Sequence, residues 1–444
     1  MKVRLSLGTF VRHVGNKWLM INPRTGTETL IQDAEAFSPC FSRMWQDTET
    51  VAQYIARQCG VPIECVKNDL DMMIGSLCDC DLLECDGARQ YMNQDGDVSQ
   101  SKNETEHHSS NALAEFYRTA SSPMELHIDL TSACNERCIH CYHPDHTSRH
   151  LDYSLLRKII AEFCEGQGLT IYYSGGECTL YPKFVEACHL CRDSNLNIII
   201  CSNLLSLSEE TLNCLQEVNP QIINVSLYSM NPHEHDSITS VSGSWKRTMD
   251  GILRCREAGL TCRIAMPILK NNYKSIQSVK DFAESNGMKY IPSLEIFARS
   301  NHTYDNLSCV CDESELREIF DVHSDLFGGE SLDVMPDAEE KVCDVGEAKM
   351  GVNWDGKYYP CDSMQGYEIG NAHCQSVGEV WRGMELEYLR SLKNKDFPKC
   401  IACENRAVCR VCMAENFNAT GSLFTCSSVQ CRRAKILKFI AERE

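Results

Sequence analysis

The chain lacks any run of about 18 apolar residues, the length a helical membrane span needs, so none is expected to cross a bilayer. Its N-terminal Met1-Lys-Val-Arg-Leu-Ser-Leu has no apolar core followed by small residues, and no secretory signal is expected. Positive charge is also short. Against 62 Asp and Glu stand 43 Lys and Arg, a net charge of −19. That balance excludes a surface built for nucleic-acid phosphate or an anionic membrane, while a basic peptide partner is compatible with it. No internal repeat occurs. Cysteine, by contrast, is abundant, with 28 in 444 residues. In a short secreted chain this would read as a disulfide framework, but this chain is long and unsignalled. Several cysteines stand instead at metal-ligand spacings, so a reducing, anaerobic cytoplasm is the expected setting.

The first such group is Cys134-Asn-Glu-Arg-Cys138-Ile-His-Cys141. Iron–sulfur cubes are normally held by four thiolates, so three leave one iron open to a small molecule. A chance triplet or a zinc site is the alternative. The spacing, with aromatic His140 before the last cysteine, resembles that of the radical S-adenosylmethionine (SAM) enzymes. The resemblance implies that the open iron chelates SAM through its amino and carboxylate groups. Reductive cleavage then supplies a 5′-deoxyadenosyl radical, chemistry that the cofactor carries and the protein aims.

From Glu125 onward, strand and helix patterns alternate. Strands are expected at 126–130, 170–173, 197–201, 222–227, 261–266 and 290–296, with amphipathic helices between them. Such alternation means a parallel sheet. The fold class is therefore α/β, and the resemblance implies a partial (β/α)6 TIM-like barrel over residues 123–300. The cysteine loop follows the first strand, at the face where such barrels place their chemistry. The second strand ends Ser174-Gly175-Gly176-Glu177, where glycines permit close backbone approach and a carboxylate can accept from an ammonium. In the family this Gly-Gly-Glu binds the SAM amino group. The third strand ends at Ser202-Asn203, with Leu204 where relatives often carry glycine, and the fourth at Ser226-Leu227-Tyr228. The SAM contacts implied are His140, Gly175, Gly176, Glu177, Asn203, Ser226 and Arg263. His235 and Asp236 are expected to cap the following turn and helix, and Cys178 to pack.

A second array closes the chain: Cys343, Gly356 and Cys361; then Cys400, Cys403, Cys409 and Cys412; then Cys426 and Cys431. Paired Cys-x2-Cys units also occur in zinc ribbons. In this order, behind the upstream motif, residues 343–444 resemble a SPASM domain, the auxiliary-cluster module of some radical SAM enzymes. One departure is that two residues, not the usual three, separate Cys409 and Cys412. The resemblance implies two auxiliary 4Fe–4S clusters, three clusters in all. The first would take Cys343, Cys361 and Cys412, its fourth position open or filled by Cys309 or Cys311. The second would take Cys400, Cys403, Cys409 and Cys431, with Cys426 as the alternative to Cys431.

Residues 1–88 read as short strands broken at Gly15-Asn16 and Pro23–Gly26, then helices at 34–45, 48–59 (N-capped by Thr48) and 62–77. This pattern resembles the winged-helix-like recognition element of ribosomal peptide maturases, where a leader peptide adds a strand to a sheet edge. A DNA-binding winged helix is disfavoured, because the third helix carries Glu64, Asp69 and Asp71 against Lys67. Residues 92–112 are polar, and 89–122 are expected to form a flexible linker, with 301–342 bridging barrel and SPASM domain.

Together these imply an enzyme that cross-links a precursor peptide internally, most readily as a Cys thioether to carbon, otherwise carbon to carbon. Auxiliary clusters give the second electron an exit, and a flavodoxin or ferredoxin would supply the first. The alternatives are an anaerobic sulfatase-maturating type of enzyme that oxidises a protein side chain, and a non-catalytic iron–sulfur or leader-binding scaffold. No catalytic acid or base stands out.

Overall fold

The computed structural model describes residues 1–6, 9–14, 17–22, 27–32, 34–42, 44–86, 122–143, 146–323, 326 and 336–441. The turns expected at Gly15-Asn16 and Pro23–Gly26, and nearly all of the expected linker, lie outside them. The chain forms two compact units: Met1–Ala120 with Arg192–Asn197, and Ser121–Cys191 with Ile198–Glu444.

In the first unit, strands β1 (Lys2–Leu5), β2 (Phe10–Val14), β3 (Lys17–Asn22) and β4 (Thr27–Gln32) come first. Strand β5 (Gln46–Asp47), helices α1 (Thr48–Cys59) and α2 (Ile63–Asp79), and β6 (Leu83–Cys85) follow. They build two antiparallel three-stranded sheets, ordered β5-β1-β6 and β2-β3-β4. Val66, Leu70, Ile74 and Leu77 put one face of α2 into a core shared with Val3, Leu5, Val51 and Ile55. Each fully buried side chain of this kind contributes about 1.5–3 kcal/mol.

Two local expectations are corrected. The helix expected over 34–45 is a 3-10 segment, Ala34–Cys40, with Pro39 inside it, since proline supplies no N–H for an α-helical ladder. The chain then extends so that Gln46 and Asp47 pair with Val3 and Lys2. The N-cap of α1 is Asp47, not Thr48. The Asp47 carboxylate accepts from the Thr50 N–H at 3.1 Å, satisfying a donor the helix start leaves open.

The second unit alternates β7 (Glu125–Thr131), α3 (Tyr153–Glu165), β8 (Thr170–Gly175), α4 (Phe184–Asp193), β9 (Asn197–Ser202), α5 (Glu209–Val218) and β10 (Ile222–Ser226). Helices α6 (Pro232–Thr239) and α7 (Ser244–Glu257), β11 (Cys262–Pro267), α8 (Ile276–Ser285), β12 (Lys289–Ser293) and α9 (Glu313–Val322) complete the alternation. The six strands from β7 to β12 lie side by side in chain order, the parallel partial barrel expected. The sheet does not stop there. Strand β13 (Lys349–Val352) pairs in parallel with β7, and β14 (Lys357–Tyr359) and β15 (Gly370–Asn371) extend it antiparallel. Helices α10 (Val377–Trp381), α11 (Met384–Ser391), α12 (Pro398–Ile401), α13 (Met413–Thr420) and α14 (Ser428–Ala441) complete the unit.

Alternation sorts the strand residues. Leu126, Ile128 and Leu130 of β7, Ile223 and Val225 of β10, and Ile264 and Met266 of β11 are fully buried. The intervening Glu125, His127, Asp129, Asn224, Ser226 and Arg263 take the opposite face, since successive side chains on a strand point to opposite sides. That inner face is polar. No helix among the described residues is long and apolar enough to cross a membrane.

Candidate active site and iron–sulfur sites

The loop from Ser132 to Cys141 is held from two sides. Arg137 and Ile139 donate their backbone N–H groups to the Thr239 and Ile238 carbonyls at the end of α6. Across from them, the end of β8 lies against the loop's backbone. The Gly176 N–H bonds Thr131 O and the Glu177 N–H bonds Ala133 O, both at 2.8 Å. Glycine is required at both positions. A Cβ on Gly175, whose φ is +117°, would lie 2.4 Å from Thr131 O, and one on Gly176 2.3 Å from Ala133 O.

The three loop thiols share one neighbourhood. Burial pushes Cys134 up to about 12 and Cys138 well above the usual thiol range; Cys141 adds to the effect on Cys134, and Cys141 and Cys134 add to that on Cys138. The Cys138 Sγ lies 3.5 Å from the Tyr228 hydroxyl and 3.4 Å from the Glu136 carboxylate. Glu136, 2 % exposed, is raised to about 7 by burial, and its Oε1 has no hydrogen-bond partner. His140 Nδ1 is likewise buried without one, and burial pulls this imidazole down to about 4. Grouped thiols, a glycine-lined approach and two orphaned polar atoms fit a cluster with a small polar ligand beside it.

Glu177 is more committed than its motif suggests. Its carboxylate, 1 % exposed, accepts from the Thr179 N–H and hydroxyl, the Ser202 hydroxyl and the Asn203 N–H. The Asn203 side chain in turn donates to Asn135 Oδ1 in the cysteine loop at 2.7 Å. These residues therefore brace the loop. Arg263 Nε donates to Asn224 Oδ1 at 2.6 Å on the inner face. Ser226 sits beside Tyr228. Asp236 caps the start of α7, accepting from Gly243 N, Ser244 Oγ and Trp245 N. Cys178 is fully buried and donates to Cys201 O, so it packs.

The structure adds an inner-face cluster that sequence reading missed. Asp129, 1 % exposed, accepts from the Tyr359 hydroxyl and from Gln365 Nε2, each at 2.9 Å. Burial raises its carboxyl to about 7. Asp362 stands next to Cys361 and pairs with Lys349 at 3.4 Å. Burial opposes its charge, but His127 and Lys349 outweigh burial and hold its carboxyl below the usual carboxylate range. Nothing marks these residues in the sequence, because more than 200 positions separate them from β7.

Two neighbourhoods of C-terminal cysteines are seen, one around Cys412 and Cys343 and one around Cys400. Cys412 neighbours Cys343 and Glu295. The Cys361 loop is tied to α13 by Asn418, which donates to Ser363 O at 2.8 Å. Cys309 donates to Asn306 O within an apolar cluster containing Tyr228 and Leu269, and Cys311 lines a small cavity with Ile268, Leu294 and Val429. The second group holds Cys400, Cys403, Cys409, Cys426 and Cys431 together. Among the described residues, no three Cys, His, Asp or Glu side chains are arranged to hold a single metal ion.

Residues 128–283 match the model of the radical SAM superfamily, and residues 343–405 that of the SPASM iron–sulfur cluster-binding domain. The chain thus carries a radical SAM domain followed by a SPASM domain. Both domains are of kinds that hold 4Fe–4S clusters, the first together with SAM. The chain is 23 % identical over 330 residues to an AdoMet-dependent heme synthase of Methanosarcina barkeri, covering 68 % of this chain and 94 % of that one. It is 24 % identical over 276 residues to the PqqA peptide cyclase of Methylorubrum extorquens, covering 59 % and 72 %. Its fold is similar to that of Streptococcus suis SuiB bound to the precursor peptide SuiA. The TM-score is 0.59 at 17 % identity, over 97 % of this chain and 100 % of that one.

Proposed function

We propose that this radical SAM/SPASM enzyme is a maturase that installs an intramolecular cross-link in a ribosomally made precursor peptide. The bond is a Cys thioether to carbon, with a carbon–carbon bond as the alternative product. The observation that carries this reading is the extent of the likeness to SuiB. It spans 97 % of the chain and so takes in the N-terminal unit, whereas the heme synthase alignment spans 68 %. Residues 1–88 are proposed to bind the leader as an added strand at a sheet edge, and 89–122 to link them to the barrel.

Cys134, Cys138 and Cys141 would hold the SAM cluster. Cys343, Cys361 and Cys412 would hold the first auxiliary cluster, and Cys400, Cys403, Cys409 with Cys431 the second. SAM at the first cluster would supply a radical that removes a hydrogen atom, and the auxiliary clusters would take the remaining electron. His140, Gly175, Gly176, Asn203, Ser226 and Arg263 would line the SAM pocket, with Glu177 bracing the loop that carries the cluster. The polar inner face would receive the peptide backbone. Closing a bond with loss of two hydrogens also releases a proton, and Asp362, beside Cys361 and paired with Lys349, would accept it.

The test is anaerobic co-expression with a candidate cysteine-bearing precursor, followed by tandem mass spectrometry. A loss of two hydrogens that joins a Cys to a partner carbon is expected. Removal of residues 1–88 should abolish peptide modification while SAM is still cleaved; undiminished modification would rule out leader binding there. Porphyrin chemistry is the second reading, and turnover of a porphyrin with no turnover of any precursor peptide would favour it.

A further inference from the structure

Five thiols gather where four would suffice. Cys400 lies within the short helix α12 and Cys403 just beyond its end, and Cys409 follows the turn at Arg406–Val408. These three come from one continuous segment. The remaining corner has two claimants, delivered by different supports. Cys426 lies in the loop between α13 and α14, and its Sγ is 3.2 Å from that of Cys400. Cys431 lies on the first turns of α14. It raises the proton affinity of Cys409, after burial, and Cys426 and Cys403 do the same for Cys431.

Both supports are built. Asn416, 0 % exposed, donates to Leu423 O and accepts from the Ser427 N–H, each at 2.9 Å, which fixes the loop around Cys426. Phe424 packs its ring on Phe397 at 5.1 Å, directly ahead of Cys400. Gln430 Nε2 donates to Arg410 O at 2.6 Å, which fixes the start of α14, and with it Cys431, against the Cys409 segment. Each thiol thus has its own anchor nearby.

We infer that Cys426 and Cys431 are alternative fourth ligands of the second auxiliary cluster, which is held by three fixed thiolates and one exchangeable corner. The inference rests on the iron–sulfur reading of this group. Exchange moves no electrons. One sulfur leaves iron and takes a proton, while the arriving thiol gives one up and binds. The thiol out of contact stays beside the cluster.

The experiment uses full-length protein, reconstituted anaerobically, and compares C426S, C431S and C426S/C431S with wild type. Each single variant is expected to retain the wild-type iron and sulfide content. The double variant is left with three thiolates and one iron without a cysteine, so the electron paramagnetic resonance of its reduced auxiliary cluster should differ from that of wild type and of both singles. The two singles should also differ from each other, because different segments supply the ligand. One single variant with the wild-type spectrum and the other with that of the double variant would overturn the exchange, leaving one ligand and one bystander. A double variant with the wild-type spectrum would overturn the iron–sulfur reading of this group instead.

A second measurement needs no substitution. One tryptic peptide, Val411–Arg432, carries both residues. Alkylation of the wild-type holoprotein with iodoacetamide should label Cys426 or Cys431 in any one molecule, never both. Full protection of one with full labelling of the other would again overturn the exchange.

Discussion

The backbone N–H of Asn203 donates to Glu177 Oε2 at 2.8 Å, and the Ser202 hydroxyl donates to Oε1 of the same carboxylate at 2.7 Å. One buried side chain thus ties the end of β8 to the end of β9. With Thr179 it meets four donors and offers only acceptors. Glu177→Gln has nearly the same shape but turns an NH2 group toward donors. It should destabilise the protein by about 1–3 kcal/mol, the cost of leaving buried hydrogen-bonding groups unsatisfied. Thermal unfolding measures this, and SAM affinity should fall in parallel. An unchanged melting temperature would contradict the bracing role.

Gly176 offers a second test at the same junction. A methyl there would meet Ala133 O at 2.3 Å, backbone against backbone, so the strand end and the cysteine loop must separate. Gly176→Ala should cost about 1–3 kcal/mol as overpacking and should lower the iron held by Cys134, Cys138 and Cys141. Gly75, inside α2 with open space around its Cβ direction, is the control. Gly75→Ala should leave iron content unchanged and raise stability by about 0.4–1 kcal/mol.

These two positions also show why the site was legible. The cysteine triplet and Gly-Gly-Glu are each contiguous, so their chemistry can be read along the chain. Period-two patterns placed the strands for the same reason, because Leu126, Ile128 and Leu130 alternate with polar residues. Contacts between distant segments left no such trace. Asp129 meets Tyr359 and Gln365 only because β13 pairs with β7, a pairing no local pattern announces. The cap at Asp47 was displaced by one residue because Asp47 and Thr48 are both good N-caps, and only the pairing of β5 with β1 distinguishes them.

Leu204 occupies the place where relatives often have glycine, and its φ of +55° is left-handed. Such backbone costs a non-glycine residue about 1–2 kcal/mol. Its side chain is buried, and Gly251 on α7 makes room for it: a Cβ there would lie 2.7 Å from Leu204 Cβ. Gly251→Ala should therefore destabilise by about 1–3 kcal/mol in the presence of Leu204. In a Leu204→Gly background, which removes that Cβ, the penalty should shrink, a coupling that a double-mutant cycle reads from denaturant unfolding. Equal penalties in both backgrounds would show that the two residues do not compete for space.

Asp129 makes a prediction about pH. Burial raises its folded carboxyl to about 7, against an ordinary value of 3.8. Between those values the folded state binds the proton more readily than the unfolded state, so this group's contribution to stability declines as pH rises through the window. Above about 7 the carboxylate is charged in both states, and the full cost of a few kcal/mol is present. Asp129→Asn retains an oxygen to accept from Tyr359 but carries no charge to bury. The melting temperature of this variant relative to wild type should therefore increase from pH 5 to pH 8 and level off beyond. A constant difference across that range would mean that Asp129 keeps an ordinary carboxylate titration in the folded protein.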